Sequence, residues 1–253
     1  MRKSEQRKRS SRQEEQQNVF GQALSFAAKE AYKLLRTNLI FALPEINEAR
    51  GKIVGVTSSV SGEGKSTTTV NLASTLAEQG ERVLVVEGDM RLPSLNKKIP
   101  ISPRPGLSNI LVSKTEPWPY IQTVEVGRID EMVISFDVLA AGDIPPNPSE
   151  LIGSGRMQQR LNELASAYHW ILLDLPPVTA VTDALVATKM VDGIIMVVRN
   201  EHADSGSLKE AMRQLKLVNA KILGFVYTCA GAGGGSYKKK YKYRYYSDYE
   251  KSK

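Results

Sequence analysis

Residues 52–70 read KIVGVTSSVSGEGKSTTTV, and this stretch decides the fold. Lys52–Thr57 is a short β-branched strand, and Ser66–Gln79 has a helical pattern that Gly80 ends. Between them lies the turn Ser58-Ser59-Val60-Ser61-Gly62-Glu63-Gly64-Lys65-Ser66-Thr67. Glycines in such a turn let backbone N–H groups close around phosphate oxygens without Cβ obstruction. The start of the following helix adds its positive dipole end. In this setting Lys65 reaches the β- and γ-phosphates and the Ser66 hydroxyl ligates Mg²⁺. The candidate nucleotide-binding residues are therefore Ser61, Gly62, Glu63, Gly64, Lys65, Ser66 and Thr67. The strict phosphate-loop pattern has glycine six residues before Lys65, and Ser59 stands there instead.

Outward from this loop, strand and helix patterns alternate. Arg82–Glu87 is a strand in which Val83, Leu84, Val85 and Val86 are continuous, as suits a strand covered on both faces. A strand at Phe136–Ala140, a helix from about Ser149 to Ala167 and a strand at Trp170–Asp174 follow. Strands at Gly193–Arg199 and Lys221–Thr228 flank a helix at Ser205–Val218. Upstream, residues 22–41 carry Leu24, Tyr32, Leu35, Leu39 and Phe41 at helical spacing, and Pro44 ends the run. The expectation is one doubly wound α/β domain over residues 19–229, with a mostly parallel sheet. Residues 1–18 read as a disordered basic arm, 230–236 (AGAGGGS) as a glycine-rich hinge, and 237–253 as a tyrosine-rich basic tail.

The chain has 253 residues, 42% of them hydrophobic and 24% charged, enough for one sizeable core. No apolar run approaches the roughly 18 residues of a membrane span, and no apolar signal core begins the chain. The single cysteine, Cys229, excludes a disulfide framework or a multi-thiolate metal site within one chain. A cytoplasmic protein is expected. The formal charge of +7 is concentrated at the ends: residues 1–18 carry six Lys/Arg against three Glu, and residues 237–253 seven against two acids. The body between them is nearly neutral, which argues against a basic nucleic-acid groove.

Two strands end in acids, in Val86-Glu87-Gly88-Asp89-Met90-Arg91 and in Leu173-Asp174-Leu175-Pro176-Pro177. Carboxylates at the C-terminal ends of parallel strands meet on the edge that carries the phosphate loop. There one can hold Mg²⁺ through its water shell and another can receive a nucleophile's proton. These three motifs, in order, resemble those of the bacterial tyrosine kinases, P-loop enzymes of capsule and exopolysaccharide production. The likeness extends to Glu30–Arg36 (EAYKLLR), Gly106-Leu107-Ser108, Ala141-Gly142, Pro145-Pro146-Asn147-Pro148 and Thr182-Asp183-Ala184. Partitioning and cell-division ATPases fit less well, because they carry a lysine early in the loop where Val60 stands. Iron–sulfur carrier ATPases need cysteines that the sequence lacks.

The resemblance implies a P-loop fold of the deviant Walker type and an ATP- and Mg²⁺-dependent tyrosine kinase. It implies catalytic roles for Lys65, Glu87, Asp89 and Asp174, with Ser66, Asp89 and Asp174 at the metal. Glu87 occupies the place where the family usually has the Asp proposed to activate the tyrosine hydroxyl, one methylene shorter. The family's oligomerisation motif falls on Glu30, Lys33 and Arg36, with Lys33 replacing an arginine, and implies a homo-oligomeric ring. A transmembrane polysaccharide co-polymerase would activate the kinase and recruit it to the inner face of the cell membrane, and other proteins would be substrates.

Six of the ten tyrosines lie in the tail: Tyr237, Tyr241, Tyr243, Tyr245, Tyr246 and Tyr249. Interleaved Lys and Tyr can stack on single-stranded nucleic acid or lie on an anionic membrane. Beside an ATP site and the family likeness, they read as autophosphorylation acceptors. The 19 residues from Gly231 to Tyr249 span at most about 60–70 Å and average about 20–26 Å when flexible, so a neighbouring subunit is within reach. The alternative is an ATP-driven assembly switch whose basic tail binds membrane or nucleic acid.

Overall fold

The computed structural model describes residues 24–44, 50–113, 115–129, 131–200, 202 and 204–229. The expected arm, hinge and tail, with the six tail tyrosines, lie outside the described residues. Helix α1 (Phe26–Ala42) leads into β1 (Lys52–Ser58), α2 (Lys65–Ala77) and β2 (Val83–Glu87). Then come α3 (Leu107–Ser113), β3 (Gln122–Ile129), β4 (Met132–Leu139), α4 (Pro148–Ile152) and α5 (Gly155–Ala167). The chain continues through β5 (Trp170–Asp174), α6 (Asp183–Ala187), β6 (Gly193–Arg199), α7 (Ser205–Leu217) and β7 (Ile222–Thr228).

The strands form one seven-stranded sheet in the order β3-β4-β2-β5-β1-β6-β7. Every pairing is parallel except β3 with β4. The continuous apolar strands supply both faces, because alternate side chains point to opposite sides. Val83 and Val85 join Val54, Val56 and Leu172 under Val70, Leu72 and Leu76 of α2. Leu84 and Val86 join Ile53, Ile171 and Leu173 under Met157, Leu161 and Leu164 of α5 and Leu215 of α7. β1 lies in the interior of the sheet, between β5 and β6, so its C-terminal loop is flanked by other strand ends.

The doubly wound, mostly parallel architecture is as expected. Two local readings are corrected. The single helix expected at 149–167 is two helices, because Ser154 leaves the helical path and caps α5, its hydroxyl accepting the Met157 N–H at 3.2 Å. The strand expected at 136–140 begins at Met132, since it pairs along its length with the antiparallel edge strand β3. Leu72 is wholly buried between α2 and the sheet. Leu72→Ala is expected to cost about 2–5 kcal/mol. In urea unfolding the midpoint falls while the slope with denaturant stays at the wild-type value.

Candidate nucleotide site

The loop at Ser58–Lys65 is shaped from outside. Gly62 and Gly64 have φ of 83° and 97°, a region that glycine enters without a Cβ clash, and Gly64 caps α2. Three successive carbonyls are held by other strands' ends. Ser61 O meets His202 Nε2 at 2.9 Å, with the proton on that nitrogen because a carbonyl only accepts. Gly62 O accepts from the Arg199 guanidinium at 3.2 Å, and Glu63 O from the Thr228 hydroxyl at 2.9 Å. In a trans peptide the C=O and N–H lie in one plane and point in opposite directions. Pinning these carbonyls therefore turns the N–H groups of Gly62, Glu63 and Gly64 the other way, as a phosphate cradle requires. The Glu63 side chain is buried and braces the loop: it accepts from Ser59 Oγ at 2.8 Å, Val60 N at 2.9 Å and Arg199 N at 3.3 Å. Thr179 adds a hydroxyl bond to Ser59 O at 2.6 Å.

The acids arrive by register. Asp174 stands opposite Val56 of β1 on one side and Glu87 of β2 on the other. Asp174 is 1% exposed, and burial pushes its carboxyl up to about 7. A hydrogen bond from the Ser66 hydroxyl and the Lys65 charge oppose that rise, while Glu87 and Asp89 add to it. Its Oδ1 has no hydrogen-bond partner among the described residues. Glu87, equally buried, is fully occupied: Oε1 accepts from Ser94 N at 2.6 Å and Leu95 N at 2.8 Å, and Oε2 from Ala141 N at 3.1 Å. Asp89 is half-buried and accepts from Leu92 N at 3.1 Å. Burial raises its carboxyl, against the pull of that N–H and of Lys65.

Among the described residues no group of three or more His, Cys, Asp and Glu could hold a metal ion. A cation here would instead share hydroxyl, carboxylate, phosphate and water oxygens, as Mg²⁺ does. The unpaired buried Oδ1 of Asp174 beside Ser66 fits such an ion.

Residues 54–232 match the family model described as the CobQ/CobB/MinD/ParA nucleotide binding domain. Over 217 residues the chain is 32% identical to the tyrosine-protein kinase YwqD of Bacillus subtilis (strain 168), covering 86% of this chain and 85% of that protein. The chain belongs to the bacterial tyrosine-kinase family. Solved members share its fold. The chimerical protein CapA2B2 aligns with a TM-score of 0.73 at 32% identity, over 84% of this chain and 89% of that one. The kinase domain of Escherichia coli tyrosine kinase ETK aligns at 0.71 and 31% identity, over 83% and 80%.

Two family stretches have structural work in this kinase-family chain. Arg91 forks onto the buried Asp183 carboxylate at 2.9 and 3.1 Å and reaches Ser149 Oγ at 3.0 Å, tying the β2 loop to the starts of α4 and α6. On α1, Glu30 pairs with Lys33 at 2.8 Å, whereas Arg36 donates to Thr75 O of α2 at 2.6 Å. Sequence reasoning missed Ser94, Thr179, Arg199, His202 and Thr228; the last residues of β6 and β7 were the signal that could have found Arg199 and Thr228.

Asp174 binds its proton more tightly in the folded than in the unfolded chain, where an Asp titrates near 3.9. Folding stability therefore falls as pH rises from about 4 toward about 7, and the loss is complete above that. In EDTA and without nucleotide, Asp174→Asn is expected to raise the melting temperature relative to wild type more at pH 8 than at pH 5. Equal shifts at both pH values would remove Asp174 as the source.

Proposed function

We propose that this chain is an ATP- and Mg²⁺-dependent protein-tyrosine kinase that phosphorylates its own C-terminal tyrosines, between subunits of a homo-oligomer. The observation that carries the reading is the convergence of Lys65, Ser66, Asp89 and Asp174 on loops leaving three neighbouring strands, in a chain of the tyrosine-kinase family. Phosphoryl transfer asks mainly for positioning and charge stabilisation. The loop N–H groups and the start of α2 hold the phosphates. Lys65 places a positive charge beside the phosphoryl group in transfer. Ser66 and Asp174 offer the metal its oxygens, and the charge of Lys65 and of a dication draws Asp174 into its ionised form. Mg²⁺, when bound, neutralises charge on the β- and γ-phosphate oxygens. Of the three acids Asp89 alone is accessible to solvent, so it is the group that can take a phenolic proton from an incoming tyrosine.

The oligomer would form through α1, which carries Glu30, Lys33 and Arg36 and exposes Leu34 and Phe41. The described residues contain no helix long and apolar enough to cross a membrane. Recruitment to the inner face of the membrane then falls to a transmembrane polysaccharide co-polymerase, which activates the kinase in control of capsule or exopolysaccharide synthesis. Each phosphotyrosine adds about −1.5 to −2 charge, so full modification would reverse the sign of the tail.

Mass spectrometry of the C-terminal peptide after incubation with Mg-ATP tests this. Phosphate is expected on residues 237–249, falling by at least about 10²-fold in Lys65→Met. The incubations run with and without an activating co-polymerase segment. ATP hydrolysis with an unmodified tail in every condition would point to the assembly ATPase instead.

A further inference from the structure

We propose that Glu87 is a positioning residue, which through Ser94 sets the Ser66 hydroxyl to receive Mg²⁺. The inference rests on the nucleotide-site reading above. It starts from the three N–H groups that fill the Glu87 carboxylate. Two of them, from Ser94 and Leu95, belong to the start of a 3₁₀ turn at Leu95–Lys97, and the third, from Ala141, follows β4. Leu95 and Ile99 are buried on the same segment, so the turn is fixed by both polar and apolar contacts. Asp at position 87 would end about 1.3–1.5 Å short of these amides. The reach of Glu is what lets one strand-end acid hold the next loop.

The held turn presents Ser94 to the metal serine. Ser94 Oγ lies 3.1 Å from Ser66 Oγ. A hydroxyl has one proton and two lone pairs. With Ser94 as the donor in the serine pair, the Ser66 proton is left for Asp174. With its proton and one lone pair fixed, Ser66 keeps one lone pair for a cation, and its rotation is stopped before the cation arrives. Partners of this kind around a metal ligand affect affinity as well as rate.

The test is a Mg²⁺ titration of the full chain with a fluorescent ADP analogue. Ser94→Ala is expected to raise the half-saturating Mg²⁺ concentration about 3- to 10-fold. Affinity for the analogue in EDTA stays within about twofold of wild type, and Ser94→Thr, which keeps the hydroxyl, restores the Mg²⁺ midpoint. Glu87→Asp, which shortens the reach but keeps the charge, shifts the midpoint in the same direction. A Ser94→Ala midpoint equal to wild type overturns the proposal. So does a Glu87→Asp variant with an unchanged midpoint and faster phosphoryl transfer, which would return proton transfer to position 87. Wild type that fails to bind the analogue with or without Mg²⁺ defeats the nucleotide-site reading itself, a result distinct from the other two.

Discussion

Glu87 and Asp174 are register partners on neighbouring parallel strands, and both are sealed from water. Two buried acids side by side must find donors or shed charge. The molecule treats them differently. Glu87 takes three backbone N–H groups and organises the loops after β2 and β4 around itself. Asp174 receives the Ser66 hydroxyl, keeps one oxygen unpaired, and holds its proton up to about pH 7. One acid builds the edge of the sheet, and the other leaves that edge short of positive charge. On the proposed function a nucleotide-bound cation would supply what Asp174 lacks, so the same imbalance that weakens the empty fold would favour the loaded one.

The phosphate loop depends equally on its neighbours. Its glycines permit the conformation, but His202, Arg199 and Thr228 select it by holding three consecutive carbonyls. Thr228 is the last residue of β7, a few positions before the hinge and the tyrosines. The end of the last strand is thereby bonded to the glycine loop.

The fold was legible because its central strands are unbroken apolar runs and its first turn has a mechanistic signature. β5 and β6 were read to the residue for that reason. β3 was not, because QTVEVGRI mixes polar and apolar residues along a partly exposed edge, and its register slips between Glu125 and Gly127. Lys65, Ser66 and Asp174 could be read because each is defined by its place at a strand end. Ser94 could not, since nothing in its spacing relates it to Ser66, 28 residues earlier. His202 has no partner at ligand spacing in the sequence, and it contacts the loop because β6 lies beside β1. Those contacts are consequences of strand order, which the sequence pattern alone leaves open.

Position 87 shows why residue type is a poor guide to role among the acids of such a site. Glu and Asp carry the same charge, and on charge alone Glu87 could serve wherever an Asp does. Reach separates them. One further methylene carries the carboxylate from the strand end to the amides of the next loop, and once there both oxygens are occupied. Asp174, one strand away and one methylene shorter, finds only Ser66. Asp89, two residues on and half-exposed, binds a single N–H of its own turn and keeps access to solvent. Three carboxylates are thereby sorted by how far each side chain extends and what backbone it meets there: one filled by amides, one with an oxygen left open beside Ser66, and one facing solvent.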